Sequence, residues 1–387
     1  EGQRPYAQAG PRLPGLSLGI AVFLAASLLL AIPTGLLSLL ALGEHVTWPW
    51  ALGLGGGLGL LLLAGAPTFL DWATSAIFGL RFGLADRLPE HLREFIRRIC
   101  KEEGLRPPRI ALLPDSSPNS FSYGHPFGRA RLVFSDGLFD LLEPEELEAV
   151  AAHELGHAGR ADLTVASAAC LLPLVSGSLF RKLMRTHWRS RFGRRQSAAP
   201  LAFLVFPLYA VSRLLPPLFS RAREHRADAF SARVTGDANL LGRALIKIAF
   251  GQAGQVPPKV QVRDRGHSSG TDAIGALGIF DADAARTIAV AASPGLSRGM
   301  DPRTLHGAMA WERFNPWAKS FERRSTHPRL ASRLDRLGRQ AAAQGKQPLV
   351  PFDKDRSPAD LGMFVNDMVM TALPSLLALL GLGAGIA

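Results

Sequence analysis

The apolar residues of this chain form two long continuous runs near its beginning and shorter, interrupted segments after them. Residues 16–42 and residues 48–70 are almost continuously apolar, and each run reaches the roughly 20 residues with which a helix crosses a bilayer core. The first run is too long for the apolar core of a cleaved signal peptide and is followed at once by another. We therefore predict a membrane anchor of two transmembrane helices over residues 1–75, with two buried core helices as the alternative.

One amphipathic helix and three short β-prone segments follow the anchor. Residues 89–103 carry apolar side chains at helical spacing and are predicted to form a helix. Residues 110–113, 120–123 and 131–134 are rich in strand-forming residues and are separated by turn residues. The pattern predicts a mostly α chain with a small β-sheet, an α+β fold, whose edge strand lies around residues 119–123.

Two less regular apolar segments, residues 163–180 and 200–219, carry internal prolines and are predicted to be membrane-embedded helices. The loop between them, residues 181–195, holds seven basic residues and no acidic one. If both helices crossed the bilayer fully, this loop would lie outside, against the positive-inside rule, so its charge favours a hairpin at the membrane interface. Full crossing therefore stays open for this pair.

The remaining segments lack a clear core-forming pattern. Residues 251–299 are rich in glycine, serine and charge, which predicts a mobile insertion. Residues 341–387 are predicted to be a linker and an apolar tail, and the tail is either a further membrane helix or a segment packed on the protein. Residues 76–340, between anchor and tail, are predicted to form one domain that includes the insertion.

The formal charge of +12 comes mostly from arginine and lies near the apolar segments. Basic residues stand before the first long run and after the second, whereas the short loop between the runs has none. The positive-inside rule then places both flanks, and the domain that follows, in the cytoplasm. Nucleic-acid binding is the other common use of a basic surplus, but no zinc finger, RNA-binding motif or basic-aromatic repeat supports it. The two cysteines, Cys100 and Cys170, form no Cys-x-x-Cys pair and are predicted to be free and buried.

The segment from His153 to His157, His-Glu-Leu-Gly-His, carries the most specific chemistry in the chain. A helix turns once per 3.6 residues, so the two histidines project from one face, one turn apart, and can hold one zinc ion. Glu154 then stands where it can take a proton from a metal-activated water. Pro144 and the acidic residues after it favour a helix start ahead of the motif. The alternative is a chance match to a short pattern.

A tetrahedral catalytic zinc takes three protein ligands plus water, so a third ligand must lie elsewhere. Glu224 and Asp228 are four residues apart on a predicted helix, and Glu224 would complete a His, His, Glu set. Asp228, one turn later, would accept the free ring N–H of a ligand histidine. The alternative is an exposed charged helix in which neighbouring arginines pair with these acids. The upstream motif favours the metal site.

Five segments in order resemble the HtpX-like membrane zinc metalloproteases, relatives of the CAAX prenyl proteases. Residues 118–124, Pro-Asn-Ser-Phe-Ser-Tyr-Gly, match the family's Pro-Asn-Ala-Phe-x-x-Gly segment, and a late block contains Ser-Thr-His-Pro followed by an arginine. The resemblance runs from about Asp71 to Leu337, and its segments are residues 118–124, 131–138, 152–162, 223–228 and 315–334.

The resemblance implies a gluzincin-like catalytic domain that holds one Zn²⁺ per chain, with Glu154 as general base. The edge strand would bind an extended substrate backbone by strand addition. The implied metal ligands are His153, His157 and Glu224, and the implied substrate-binding residues are Asn119, Ser120, Phe121 and Tyr123.

Other residues of these segments receive supporting roles. His327, in the Ser-Thr-His-Pro block, is the first choice for stabilising an oxyanion, and a helix-entry residue is its alternative role. Tyr123 and His125 are the other candidates for that role. Asp228 and Asp162 are expected to support the metal ligands, and Arg333 is expected to pair with an acidic residue near the site.

We therefore predict a membrane-bound, zinc-dependent endopeptidase, multi-pass in the bacterial inner (plasma) membrane, with its catalytic domain facing the cytoplasm. Its expected partners are the lipid bilayer and polypeptides, misfolded or membrane proteins in particular, because the resemblance implies membrane protein quality control. CAAX-type processing of lipidated peptides is an alternative, although those relatives carry more spans before the zinc helix. An inactive zinc-stabilised membrane scaffold or chaperone is another, although such a protein would be expected to lose the equivalent of Glu154. The sequence indicates neither the natural substrate nor the oligomeric state.

Overall fold

The structure, a computed structural model, describes residues 47–83, 85–124, 130–158, 162–189, 195–197, 199–212, 220–252 and 327–350, together with single residues or pairs elsewhere. The predicted first transmembrane helix lies almost wholly outside these ranges, as do the insertion after residue 252 and the apolar tail. These three elements stay predictions, and so do the predicted domain boundaries.

A four-stranded mixed sheet has the order β1–β2–β4–β3. β2 and β4 run parallel, whereas β1 and β3 are antiparallel to their neighbours. β3 is thus the edge strand, in agreement with the sequence, which does not predict the two-residue β1. The strands are β1 (Arg81–Phe82), β2 (Arg109–Leu113), β3 (Ser120–Tyr123) and β4 (Arg131–Ser135).

Helices make up most of the described chain, which confirms the predicted fold class of a mostly α protein with a small sheet. A short antiparallel hairpin, β5 (His187–Arg189) and β6 (Arg195–Ser197), lies between α5 and α6. The helices are α1 (Trp48–Phe78), α2 (Glu90–Glu102), α3 (Asp136–Leu141), α4 (Pro144–His157), α5 (Asp162–Arg185), α6 (Ala199–Ser212), α7 (Ser220–Thr235), α8 (Ala238–Gln252) and α9 (Leu330–Ala343).

Helix α4 lies at the centre of the core because it packs against α2, α7, α8 and β3. Its start is well defined: Pro144 occupies the first turn, and the Glu143 N–H donates to the Glu146 carboxylate at 3.0 Å in a capping box. Leu147, Val150 and neighbouring alanines are buried in the main apolar cluster. The helix that carries the His-Glu-Leu-Gly-His segment is therefore held on several sides.

Helices α1, α5 and α6 are apolar and pack together, with α5 in contact with both α1 and α6. Their outer faces expose large apolar side chains, including Trp50 at 65% and Trp72 at 69% exposure. Within the described ranges, no single helix is long and apolar enough to cross a bilayer. The two halves of α1, Trp48–Leu61 and Ala64–Phe78, meet at 43° and together have the length and composition to do so.

Candidate metal centre and active site

Helix α4 presents both histidines of the motif on one buried face. The ring centroids of His153 and His157 lie 4.9 Å apart, with the rings almost perpendicular at 89°. Both side chains are buried, and Glu154 beside them is only 2% exposed. Polar groups are rarely buried without a partner because burial removes their bonds to water. Three buried polar side chains within one turn therefore indicate a site rather than a packing face.

Helix α7 brings Glu224 to the two histidines. The Nε2 atom of His153 lies 3.4 Å from Oε2 of Glu224, and the Nε2 atom of His157 lies 3.4 Å from Oε1. One potential ligand atom from each residue falls within 4.8 Å of the other two. The structure thus brings together the three residues that were predicted from the sequence as a ligand set.

The chemistry of this cluster fits a cation. The Nε2 atom of His153 and the Oε2 atom of Glu224 are buried, and neither has a hydrogen-bond partner among the described residues. An unsatisfied buried polar group costs about 1–3 kcal/mol, which a cation between the two atoms would offset. Two imidazole nitrogens and one carboxylate oxygen are a set that zinc favours, and three protein ligands leave its fourth position open.

The close approach of α7 to α4 depends on the glycine of the motif. A Cβ atom at position 156 would lie 2.9 Å from Cα of Ala227 and 3.2 Å from Cβ of Phe230, so only Gly156 fits without displacement. Nearby, the Ser231 hydroxyl donates to the Ala149 carbonyl at 2.7 Å and ties the two helices together. These contacts set the spacing between the helices that carry the histidines and Glu224.

Asp228, one turn after Glu224, joins His153 to a buried arginine. Its Oδ1 atom lies 3.0 Å from Nδ1 of His153, which leaves the Nε2 atom of that ring facing Glu224. Arg333 of α9 is fully buried and donates to both Asp228 oxygens, at 2.6 and 3.0 Å. Arg333 therefore pairs with an acidic residue at the site, as the sequence predicts.

The charges of this group move the pKa values of its members. Burial raises the pKa of Asp228, but the Arg333 guanidinium outweighs that effect and the pKa is lowered to about 2. Burial lowers the pKa of His153, yet the carboxylates of Asp228 and Glu224 raise it to about 9. Asp228 is therefore ionised at neutral pH, as support of a metal ligand requires.

Glu154 faces the edge strand. The Ser120 hydroxyl on β3 donates to Oε1 of Glu154 at 3.0 Å, and both side chains are buried. Burial raises the pKa of Glu154, while the charge of His153 and the hydroxyls of Ser122 and Ser120 oppose the rise. A buried carboxylate with a raised pKa is suited to accepting and returning a proton near neutral pH.

The edge strand presents only part of its backbone outward. The Ser135 N–H donates to the Asn119 carbonyl at 2.9 Å, so the backbone of Asn119 faces β4. Backbone groups of successive residues alternate in direction along an antiparallel ladder, so those of the odd-numbered β3 residues also face β4. Those of Ser120 and Ser122 point away from the sheet. The next outward N–H, that of Gly124, donates to the Ser167 hydroxyl of α5 at 3.0 Å. Because Ser120 is fully buried and Ser122 is partly exposed, Ser122 is the β3 residue whose backbone can pair with a peptide.

Phe121 and Tyr123 point to the opposite face of the sheet. Their rings are stacked with centroids 6.1 Å apart, and both are buried. Asp71 of α1 accepts bonds from Arg131 at 3.0 and 2.7 Å, and the Arg131 guanidinium lies 5.9 Å from the centre of the Tyr123 ring. Burial, together with the charge of Asp71, raises the pKa of Tyr123. These side chains anchor the strand to α1.

His327 acts on Glu224: burial raises the pKa of that carboxyl, but nearby charges, that of His327 first, hold it well below its ordinary value. It is 7% exposed and precedes α9. Asp162 is the first residue of α5, but its side chain lies outside the described part of the chain, as does His125 altogether. The predicted roles of Asp162 and His125 therefore stay predictions.

Several contacts at the site were not predicted from the sequence. Ser120 was predicted as a substrate-binding residue, not as a partner of the general base, although it replaces the alanine of the family's pattern. Ser167 stands within an apolar helix, and the sequence offers no signal for its contact with Gly124. Asp71 is an acidic residue just after an apolar run, and that position was a usable signal for a buried ion pair.

The chain also resembles known proteins. Residues 87–341 match Peptidase family M48. The chain is 32% identical over 204 residues to a Protease HtpX homolog of Aeropyrum pernix, which covers 51% of this chain and 64% of that protein. It is 31% identical over 223 residues to a Protease HtpX homolog of Gemmatimonas aurantiaca, covering 54% of this chain and 76% of that protein. The crystal structure of S. mikatae Ste24p matches with a TM-score of 0.38 and 18% identity, over 83% of this chain and 66% of that chain.

The family match covers α2 to α9 and includes every residue of the metal cluster. Members of this family are zinc metalloproteases, which agrees with the donor set formed by His153, His157 and Glu224. On the match over residues 87–341 and the similarity to several HtpX homologues, the chain belongs to peptidase family M48 and is an HtpX-like member of it.

Proposed function

We propose that this chain is a zinc-dependent endopeptidase. The observation that carries the proposal is the cluster of ligand atoms from His153, His157 and Glu224, all within 4.8 Å of one another, next to the buried carboxylate of Glu154. Zinc bound there supplies Lewis-acid chemistry, which lowers the pKa of a water molecule and polarises a carbonyl group. A peptide bond is a substrate that needs both effects.

The protein groups around the cluster divide the remaining work. Glu154 takes the proton of the attacking water and returns it to the leaving amine, a role that its burial and raised pKa favour. Asp228 and Arg333 hold the His153 ring so that Nε2 faces Glu224. His327 is our candidate donor to the oxyanion because it is buried and its charge lowers the pKa of Glu224.

An extended peptide is the substrate that the edge strand fits. Ser122, the partly exposed residue of β3, offers outward N–H and C=O groups for strand addition, and the side chain of Ser120 on the same strand reaches the catalytic carboxylate. Backbone pairing selects for an extended conformation rather than for particular side chains. An unfolded or locally melted polypeptide would satisfy this requirement, which supports the proposed role in quality control.

The apolar helices suggest where the protein acts. Helix α1 exposes Trp50, Leu60 and Trp72, and water would disfavour such a surface. We propose that α1, α5 and α6 lie in a lipid bilayer, with the catalytic domain at its cytoplasmic face. Misfolded or membrane proteins of the plasma membrane are then the substrates nearest the cleft.

The test compares three forms of the detergent-solubilised protein: wild type, Glu154→Gln and Glu148→Gln. Glu148 lies on the same helix and pairs with His91 at 3.1 Å, so its variant is a matched control for loss of a carboxylate. Casein cleavage and zinc content are measured for each. We expect zinc in all three proteins and cleavage by wild type and Glu148→Gln alone.

Two outcomes would contradict the proposal. Cleavage by Glu154→Gln at the wild-type rate would remove Glu154 from the mechanism. Absence of zinc from all three proteins would contradict the ligand assignment. Zinc in all three with cleavage by none would contradict a broad endopeptidase activity, and lipidated peptides would then test the CAAX-type alternative.

A further inference from the structure

The carboxylate of Glu154 has a partner that the proposed mechanism does not require. Ser120 Oγ donates to Oε1 of Glu154 at 3.0 Å, across a sequence separation of 34 residues. Ser120 is fully buried and Glu154 is 2% exposed, so water does not compete freely for this bond. A hydrogen bond to a charged group in such a place contributes more than one at the surface.

This bond restricts the orientation of the carboxylate. The terminal torsion of a glutamate is broad, so an unanchored carboxylate turns freely about its last bond. A donor on Oε1 selects one orientation of the carboxylate. General-base catalysis requires the accepting oxygen within hydrogen-bond reach of the attacking water, so orientation of this group bears directly on turnover.

The same residue belongs to the strand that would hold the substrate. The backbone groups of Ser120 point outward from the sheet, while its side chain reaches α4. The strand that would pair with the peptide backbone thus also supplies the bond to the catalytic carboxylate. A substrate paired at Ser122, the partly exposed residue of β3, would lie two residues along the strand from this bond.

We infer that Ser120 is a positioning residue, which fixes the orientation of the Glu154 carboxylate relative to a peptide bound along β3. The inference rests on the proposed endopeptidase function. The family's Pro-Asn-Ala-Phe-x-x-Gly pattern has alanine at the matching position, and alanine has no donor.

The experiment measures kcat and KM for fluorescein-labelled casein with wild type, Ser120→Ala, Ser120→Thr and Ser176→Ala, together with zinc content and thermal stability. Ser176 is a buried serine of α5 whose hydroxyl lies 3.3 Å from that of Ser212 on α6, and neither serine belongs to the metal cluster or to β3, so it controls for loss of a buried hydroxyl. General acid–base groups contribute ~10²–10⁴-fold, and we expect loss of alignment to lower kcat of Ser120→Ala about tenfold.

The expected pattern is a kcat effect at unchanged KM and unchanged zinc content. Ser120→Thr keeps the hydroxyl and should restore most of the lost turnover, while Ser176→Ala should behave as wild type. Wild-type kcat in Ser120→Ala would overturn the inference and leave the proposed function intact. A rise in KM alone would do the same, because it would make the Ser120 side chain a substrate contact. Failure of Ser120→Thr to exceed Ser120→Ala would also overturn it. Failure of wild type to cleave casein would remove both proposals.

Discussion

Replacement of Gly156 by alanine tests whether the spacing of two helices sets the metal site. The added Cβ atom would lie 2.9 Å from Cα of Ala227, 3.2 Å from Cβ of Phe230 and 3.3 Å from Cβ of Ala227. Carbon atoms in contact prefer about 3.5–4.0 Å, so α7 must move away by about 0.6 Å or more. The nearest atom belongs to backbone, which cannot move alone.

The displacement acts on the metal cluster because Ala227 lies between Glu224 and Asp228 on the same helix. Metal–ligand distances tolerate only about 0.2 Å, so a shift of this size should weaken zinc binding by at least tenfold. Overpacking of a core costs about 1–3 kcal/mol, against a gain of about 0.5–1 kcal/mol for replacing a helical glycine. We expect a net loss of about 1 kcal/mol in the stability of the metal-free protein.

Gly242→Ala is the matched control. It also replaces a buried glycine within a helix, but its Cβ atom would meet only the side-chain ends of Leu334 and Leu349, both at 3.4 Å. This variant should keep wild-type zinc affinity and equal or exceed wild-type stability. The assays are zinc competition with a chelator and thermal unfolding with and without the metal. Equal zinc affinity in the Gly156 and Gly242 variants would refute the reasoning.

Two further predictions follow from buried polar contacts. Asp228→Asn removes the carboxylate that pairs with Arg333 and faces the His153 ring, so zinc affinity should fall by about 10–100-fold. The pKa of Asp228 is about 2, against an ordinary value of 3.8, so this group stabilises the metal-free fold by about 2 kcal/mol above a pH of about 4. That contribution is lost as the pH falls towards 2. The unfolding free energy measured across this range should show no such loss in the variant, and parallel curves for wild type and variant would contradict the prediction. Ser167→Ala removes the hydroxyl that accepts the Gly124 N–H, so the end of β3 should become less well held. KM for casein should then rise severalfold at constant zinc content. An unchanged KM would show that the strand is held without the Ser167 hydroxyl.

The ligand residues could be predicted from the sequence because helical spacing makes them local features. His153 and His157 are one turn apart, as are Glu224 and Asp228. This spacing predicts that the two residues of each pair lie on the same face of a helix, whatever the fold. Arg333 could be expected near the site only through the resemblance to the family. Its particular partner depends on how α9 packs against α7, which local patterns do not encode.

The contacts of the edge strand could not be predicted in the same way. The bond from Ser120 to Glu154 spans 34 residues and depends on the register between β3 and β4, where a shift by one residue would turn the hydroxyl to the other face. The clearance at Gly156 depends on a helix that follows 70 residues later. Such features arise from tertiary packing, and a single sequence carries only weak signals for them.

The end of the edge strand is attached to the apolar helices on both sides. The Asp71–Arg131 ion pair links the Tyr123 region to α1, and Ser167 links Gly124 to α5. Helices α1 and α5 thus hold this end of the strand, and their outer surfaces face the surroundings of the protein. Helices α4 and α7, which carry the ligand residues, make most of their contacts with other elements of the core. A change in the tilt of α1 or α5 would therefore move the end of β3 relative to the metal cluster. If these helices lie in a bilayer, as proposed, its thickness and lateral pressure would act on substrate capture along β3 and, through the bond from Ser120 to Glu154, on the chemical step as well.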